Sequence, residues 1–228
     1  MSEESSPRGD TSENTYIDLG AETDEAYAIS KKSRTLARSA LGNISDEDRV
    51  RQRCSVAVGD FSFAATMRFC NDPVAAALAA LEQNAQIITD IRMVQVGIQK
   101  KGHGSGIICA LDFGRDLAKD RGITRTSAGF LELGDRIRSA IVVIGNAPSA
   151  LSTVCDCIGK GVRPAVVIGT PVGFVNAAES KAALRALSIP SISNEGTRGG
   201  TPVAVAAMNE IITLFVENTT HARSRHRV

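Results

Sequence analysis

AIVVIGN (140–146) sets four β-branched residues in a row, Ile141 to Ile144, and closes them with Gly145 and Asn146. A run that is apolar at successive positions and too short for a helix suits a strand buried on both faces. AVVIGT (165–170) repeats the pattern, and AQIITD (85–90) and GIICALD (106–112) are related runs that end in Asp. The intervening stretches 114–119, 126–137, 148–158 and 177–187 read as helices. Asp72 as N-cap and Pro73 at the first helical position start another over VAAALAALEQN, whereas residues 46–58 show mixed spacing. Buried strands alternating with helices imply an α/β fold: a mostly parallel sheet covered by helices on both faces, in a single domain. In that architecture ligands bind at the carboxyl ends of the strands, where the loops are.

Three of those loops run into helices and draw attention. GNAPSAL carries Gly145, Asn146 and a helix-opening Pro148; TPVGFVNAAESK carries Glu179, Ser180 and Lys181; EGTRGGTPVAVAAMNEII sets glycines around Arg198 ahead of a helix from about Pro202. Free N–H groups at such helix starts could ring one site with donors for carboxylates. Gly-rich turns of this kind also serve plain topology in parallel α/β proteins, so each loop alone is compatible with either role.

Composition narrows the function classes. Among 228 residues, 43% are hydrophobic, 4% aromatic and none is Trp, so the core is aliphatic and a base-stacking surface is not expected. Twenty-six basic and 25 acidic side chains give a formal charge of +1, which provides no global field toward nucleic acid or a membrane. No apolar run approaches the roughly 18 residues that span a bilayer, and the polar N-terminus is unlike a signal peptide; the expectation is a cytoplasmic protein. Residues 1–14 have the composition of a disordered arm, 15–218 form the domain, and 219–228 read as a basic tail. Cys54, Cys70, Cys109, Cys155 and Cys157 are odd in number and lack a CxxC pair, which favours reduced thiols over zinc or a disulfide framework. Nothing matches a dinucleotide fingerprint, a P-loop, a nucleophile elbow or H-E-x-x-H. His103 (in KKGHGSG), His221 and His226 all lie in segments expected to be exposed.

Taken together, IGNAPSAL, GTPVGFVNAAESK and GTRGGTPVA resemble signature blocks of the precorrin-8 methylmutases, isomerases of vitamin B12 synthesis. ITDIRMVQVGIQK and GITRTSAG resemble two further blocks, and the resemblance runs from about Tyr16 to Glu217. It implies a homodimeric α/β enzyme that moves a methyl group from C11 to C12 of a contracted tetrapyrrole by a 1,5-sigmatropic shift. It implies no cofactor and no metal site. The ligand would be a corrin-pathway tetrapyrrole such as precorrin-8 or a hydrogenobyrinate- or cobyrinate-like product, a polycarboxylate.

The same resemblance implies substrate contacts at Ser33, Arg53, Asp90, Arg125, Asn146, Ser180, Lys181 and Arg198. It also exposes a departure. The family's acid is the histidine of Arg-x-x-His; this chain has Arg53-Cys54-Ser55-Val56, with Val56 in the histidine place. Either Cys54, Ser55, Arg53 or His103 supplies an acid, or the chain binds or carries a corrinoid without the reaction. Asn176 stands where many members have Gly, and Thr197 where they usually have Arg.

Overall fold

The computed structural model describes residue 21 and residues 23–225, with side chains as far as His221. The expected N-terminal arm and the last residues of the basic tail, His226 included, lie outside this range.

Six strands form one sheet in the order β1-β6-β5-β4-β2-β3. They are β1 (Met67–Cys70), β2 (Ile87–Thr89), β3 (Ile107–Cys109), β4 (Ile141–Ile144), β5 (Val166–Gly169) and β6 (Ser191–Asn194). All neighbours pair in parallel except β1, which runs antiparallel to β6 at one edge. The helices are α1 (Asp24–Leu41), α2 (Asp46–Val58), α3 (Pro73–Glu82), α4 (Arg92–Gly97), α5 (Arg115–Arg121), α6 (Arg125–Leu133), α7 (Pro148–Gly159), α8 (Ala177–Arg185) and α9 (Thr201–Arg225). The last runs on through Arg225, into the segment that reads as a tail.

Successive apolar residues go to opposite faces, as the strand period demands. Ile87, Ile141, Val143, Val166 and Ile168 join a core with α2, α3, α4 and α9, while Ile88, Val142, Ile144 and Val167 join a second core with α6, α7 and α8. The expected two-sided parallel sheet is therefore present. β1 and β6 are additions to the sequence reading: Ser191-Ile192-Ser193-Asn194 is buried at every position yet mostly polar. Asp72 precedes α3 as expected but sits at φ 52° and makes no side-chain cap, so Pro73 alone marks that start.

Candidate functional site

α2 starts with a reciprocal capping box between Ser45 and Asp48 and stops at Gly59, in the left-handed conformation at φ 65°. Its polar spacing hides a buried ionic anchor. Glu210 of α9, fully buried, takes two bonds from Arg34 of α1 (2.5 and 2.9 Å) and one from Arg49 of α2 (2.9 Å), and Arg49 continues to Glu217 at 2.6 Å. Ala37 is the one buried residue of α1, and this tie adds to its docking.

Between the helices so fixed lies a cavity of about 200 Å³, lined by Ser33, Leu36, Ser55, Val56, Gly59 and Phe61. Val56 is half-buried on its wall, and the Ser55 hydroxyl is buried with no hydrogen-bond partner among the described residues. Three residues before Val56, half-buried Arg53 makes no side-chain hydrogen bond or ion pair among the described residues. Asp60, between the lining residues Gly59 and Phe61, forms an ion pair with Arg198, whose guanidinium also stacks 5.3 Å from the Phe63 ring centre. The Ser62 hydroxyl and Arg198 together hold the Asp60 carboxyl down to about 2.

That ion pair joins the cavity to the carboxyl ends of the strands. The loops after β5 and β6 are stitched by Gly173 N–H to Thr197 O (3.0 Å) and Gly200 N–H to Thr170 O (2.7 Å). Across the sheet, beyond β3 and β4, Arg125 opens α6 and donates to Leu111 O at 2.8 Å, and the Thr124 and Ser149 hydroxyls meet at 2.9 Å. From the end of β6 to the end of β3 is four strand spacings, roughly 19 Å.

The precorrin-8X methylmutase family model matches residues 28–214. The chain belongs to that family. The cobalt-precorrin-8 methylmutase of Methanothermobacter thermautotrophicus is 41% identical over 202 residues, 86% of this chain and 97% of that one. The precorrin-8X methylmutase of Pseudomonas aeruginosa is 35% identical over 83% of this chain and 92% of its own. The crystal structure of precorrin-8x methyl mutase from Thermus thermophilus superposes with a TM-score of 0.77 at 32% identity, covering 84% and 97% of the two chains.

Set in this methylmutase frame, the residues implied as substrate contacts fall into two groups. Ser33, Arg53, Asn146, Arg125 and Arg198 stand at the cavity, beside it on α2, or exposed at strand ends. Asp90, Ser180 and Lys181 are buried and turned to the protein itself. Asp90 accepts N–H bonds from Ile91 (3.0 Å), Gly145 (3.2 Å), Asn146 (2.8 Å) and Ala147 (2.9 Å). Burial pushes its carboxyl up, against the pull of those four donors. The amides of Gly145, Asn146 and Ala147 are thus occupied, which corrects the expectation that they face a ligand; the loop also presents the exposed Asn146 side chain. Ser180 donates to Ala177 O at 3.2 Å, within its own helix. Lys181 donates to Arg198 O at 2.6 Å and Asn194 Oδ1 at 3.2 Å. Asn176 opens α8 at φ 60°, a conformation suited to Gly and tolerated by Asn.

The candidates for the missing acid separate as clearly. Cys54 faces the core, 3.6 Å from Val203 O, and burial pushes its thiol far up. His103 is half-buried at the amino end of β3, the opposite end of the strands from the site, where it holds its loop through Gln99 O (2.7 Å) and Ser105 N–H (3.2 Å). That half-burial also corrects its expected exposure. Ser55 remains at the cavity. Sequence reasoning missed Asp60 and Phe61; an Asp after a helix-ending Gly was the available signal. Among the described residues all five cysteines are free, no cluster of His, Cys, Asp or Glu could hold a metal ion, and no helix is long and apolar enough to cross a membrane.

Proposed function

We propose that this chain acts on a polycarboxylate tetrapyrrole of the precorrin-8 type, easing C11-to-C12 methyl migration from a site that runs from the α1–α2 cavity to the strand ends. The observation that carries the reading is the convergence of Ser33 and Val56, from two helices, on one cavity beside Arg53, which has no ion-pair partner among the described residues. Arg53, Arg198 and Arg125 span a wide platform suited to carboxylates spread around a ring.

In the shift the C11–methyl bond breaks as the C12–methyl bond forms, and the electrons redistribute within the macrocycle, so the reaction itself consumes no co-reactant. The chain's part is to hold the ring, exclude water and hydrogen-bond it through the Ser33 and Ser55 hydroxyls; valine at position 56 donates nothing. General acid catalysis is therefore withheld at that point. The cavity is smaller than the roughly 300–1,000 Å³ of ordinary ligand pockets, and Leu36 and Phe61 on its rim are 56% and 42% exposed. A second copy of the chain closing over this rim would complete the site, which supports a homodimer.

A second reading, a corrinoid binder without turnover, is favoured by Val56 itself. Titration with hydrogenobyrinic acid and turnover of precorrin-8 distinguish the two. A charge-assisted contact of about 1.5–3 kcal/mol means that Arg53→Ala should weaken binding about 10- to 100-fold. No binding by the wild-type chain would overturn both readings; unchanged affinity in the variant removes Arg53 from the site.

A further inference from the structure

Lys181 is wholly buried, and among the described residues no carboxylate faces its ammonium. Its charged neighbour is Arg185, which donates to Ser193 Oγ (3.2 Å) and Asn194 O (3.3 Å), and burial with that like charge lowers the amine to about 8. A buried cation without an anion is costly, and an apolar side chain of similar length would fill the same space more cheaply. What the ammonium gives in return is a bond to the Asn194 side-chain oxygen and one to a backbone atom. Lys181 Nζ and Asn194 Nδ2 both donate to the Arg198 carbonyl, each at 2.6 Å. The same loop is pinned from its other side by Gly200 N–H on Thr170 O, and Gly199, at φ +148°, lies so close that a Cβ would stand 2.3 Å from that oxygen. With its backbone clamped from both sides, Arg198 has one starting point, and its guanidinium lands on Asp60 beside the cavity.

We propose that Lys181 is a positioning residue for Arg198: by holding the Arg198 carbonyl from within the protein, it fixes where the guanidinium meets a ligand carboxylate. This rests on reading Arg198 as a ligand contact, and it moves Lys181 from the ligand to the scaffold behind it.

The test is a double-mutant cycle on the affinity for hydrogenobyrinic acid, with Lys181→Met, Arg198→Ala and both together. Lys181→Met should weaken binding by about one order of magnitude in the wild-type background and leave the Arg198→Ala protein no weaker than before. Losses that multiply would mean that Lys181 acts independently of Arg198 and would overturn the proposal. A ligand-free measurement stands beside it: amide hydrogen exchange at Gly173 and Gly200 should quicken in Lys181→Met and Asn194→Ala relative to the amides of β4. Unchanged protection in both variants also overturns it. If the wild-type chain does not bind the probe, the reading of Arg198 fails, while the exchange data still decide whether Lys181 holds the loop.

Discussion

The carboxylate of Asp90 lies 2.8 Å from the amide nitrogen of Asn146, across 56 positions of sequence. One buried acid at the end of β2 thereby sets the shape of the loop after β4. Asp90→Ala would leave four N–H groups without their acceptor, and the expected loss in urea unfolding is about 3–5 kcal/mol. Asp90→Asn keeps one acceptor oxygen and should lose roughly half as much. A cost under about 0.5 kcal/mol for the alanine variant would show that the loop has other acceptors.

Glu210 holds two arginines from two helices, and Ala37 is the one buried residue of α1. Glu210→Ala should cost about 3 kcal/mol, since it removes the buried anion that Arg34 and Arg49 share, although Arg49 keeps Glu217. The local consequence is loss of the cavity wall that carries Ser33. Trypsin should then cleave faster at Lys31 and Lys32, which are exposed on α1. An unchanged cleavage rate would show that α1 docks by other means.

These two ties explain what the sequence could and could not convey. β4 and β5 are legible because burial on both faces writes a continuous β-branched run. β6 is not, because two of its polar residues are satisfied by side chains of the preceding helix α8 that only the fold brings alongside: Ser193 by Arg185 and Asn194 by Lys181. α2 reads as mixed for the same reason, with Arg49 paired to α9 and Gln52 buried against Gly42 O. The motif blocks after β5 and β6 do lie side by side in the fold, stitched by their own backbone bonds. The direction of each side chain was hidden, because whether Asp90 or Lys181 faces a ligand depends on acceptors and donors that only the fold brings near.

Asp60 offers a pH test. Its folded value, about 2, lies below the ordinary 3.8, so its contribution is present above the ordinary value and lost as pH falls through about 2. The Asp60–Arg198 pair should therefore persist at pH 4 and separate near pH 2. By NMR the carboxyl should titrate near 2, and Arg198→Ala should raise that midpoint while leaving the part due to Ser62. An unmoved midpoint would remove Arg198 from the pair.

Assembly is expected to follow from the exposed rim of the cavity. Light scattering at micromolar concentration should give twice the 24.0 kDa chain mass. Leu36→Glu places a charge where the partner would cover an apolar side chain, and should shift the protein toward monomer. A monomeric wild-type chain would contradict the shared site.

Val56 is the sharpest test of the chemistry. It is half-buried on the wall of a cavity of about 200 Å³, so there is room beside it for a larger ring. Histidine and valine have similar helix propensities, and Val56→His should leave α2 folded. The new imidazole would bring a group that donates or accepts a proton near neutral pH to the place where the chain now has only a methyl-bearing surface. General acid catalysis contributes typically about 10²–10⁴-fold, so conversion of precorrin-8 by the variant should exceed that of the wild-type chain by up to that factor. The gain should appear in kcat rather than in affinity, because the arginine contacts to carboxylates do not involve this side chain. Wild-type turnover that equals the variant's would show that position 56 is not where the proton is needed, and Ser55→Ala would be assayed next. If neither protein turns over while both bind hydrogenobyrinic acid, the binder reading replaces the enzyme.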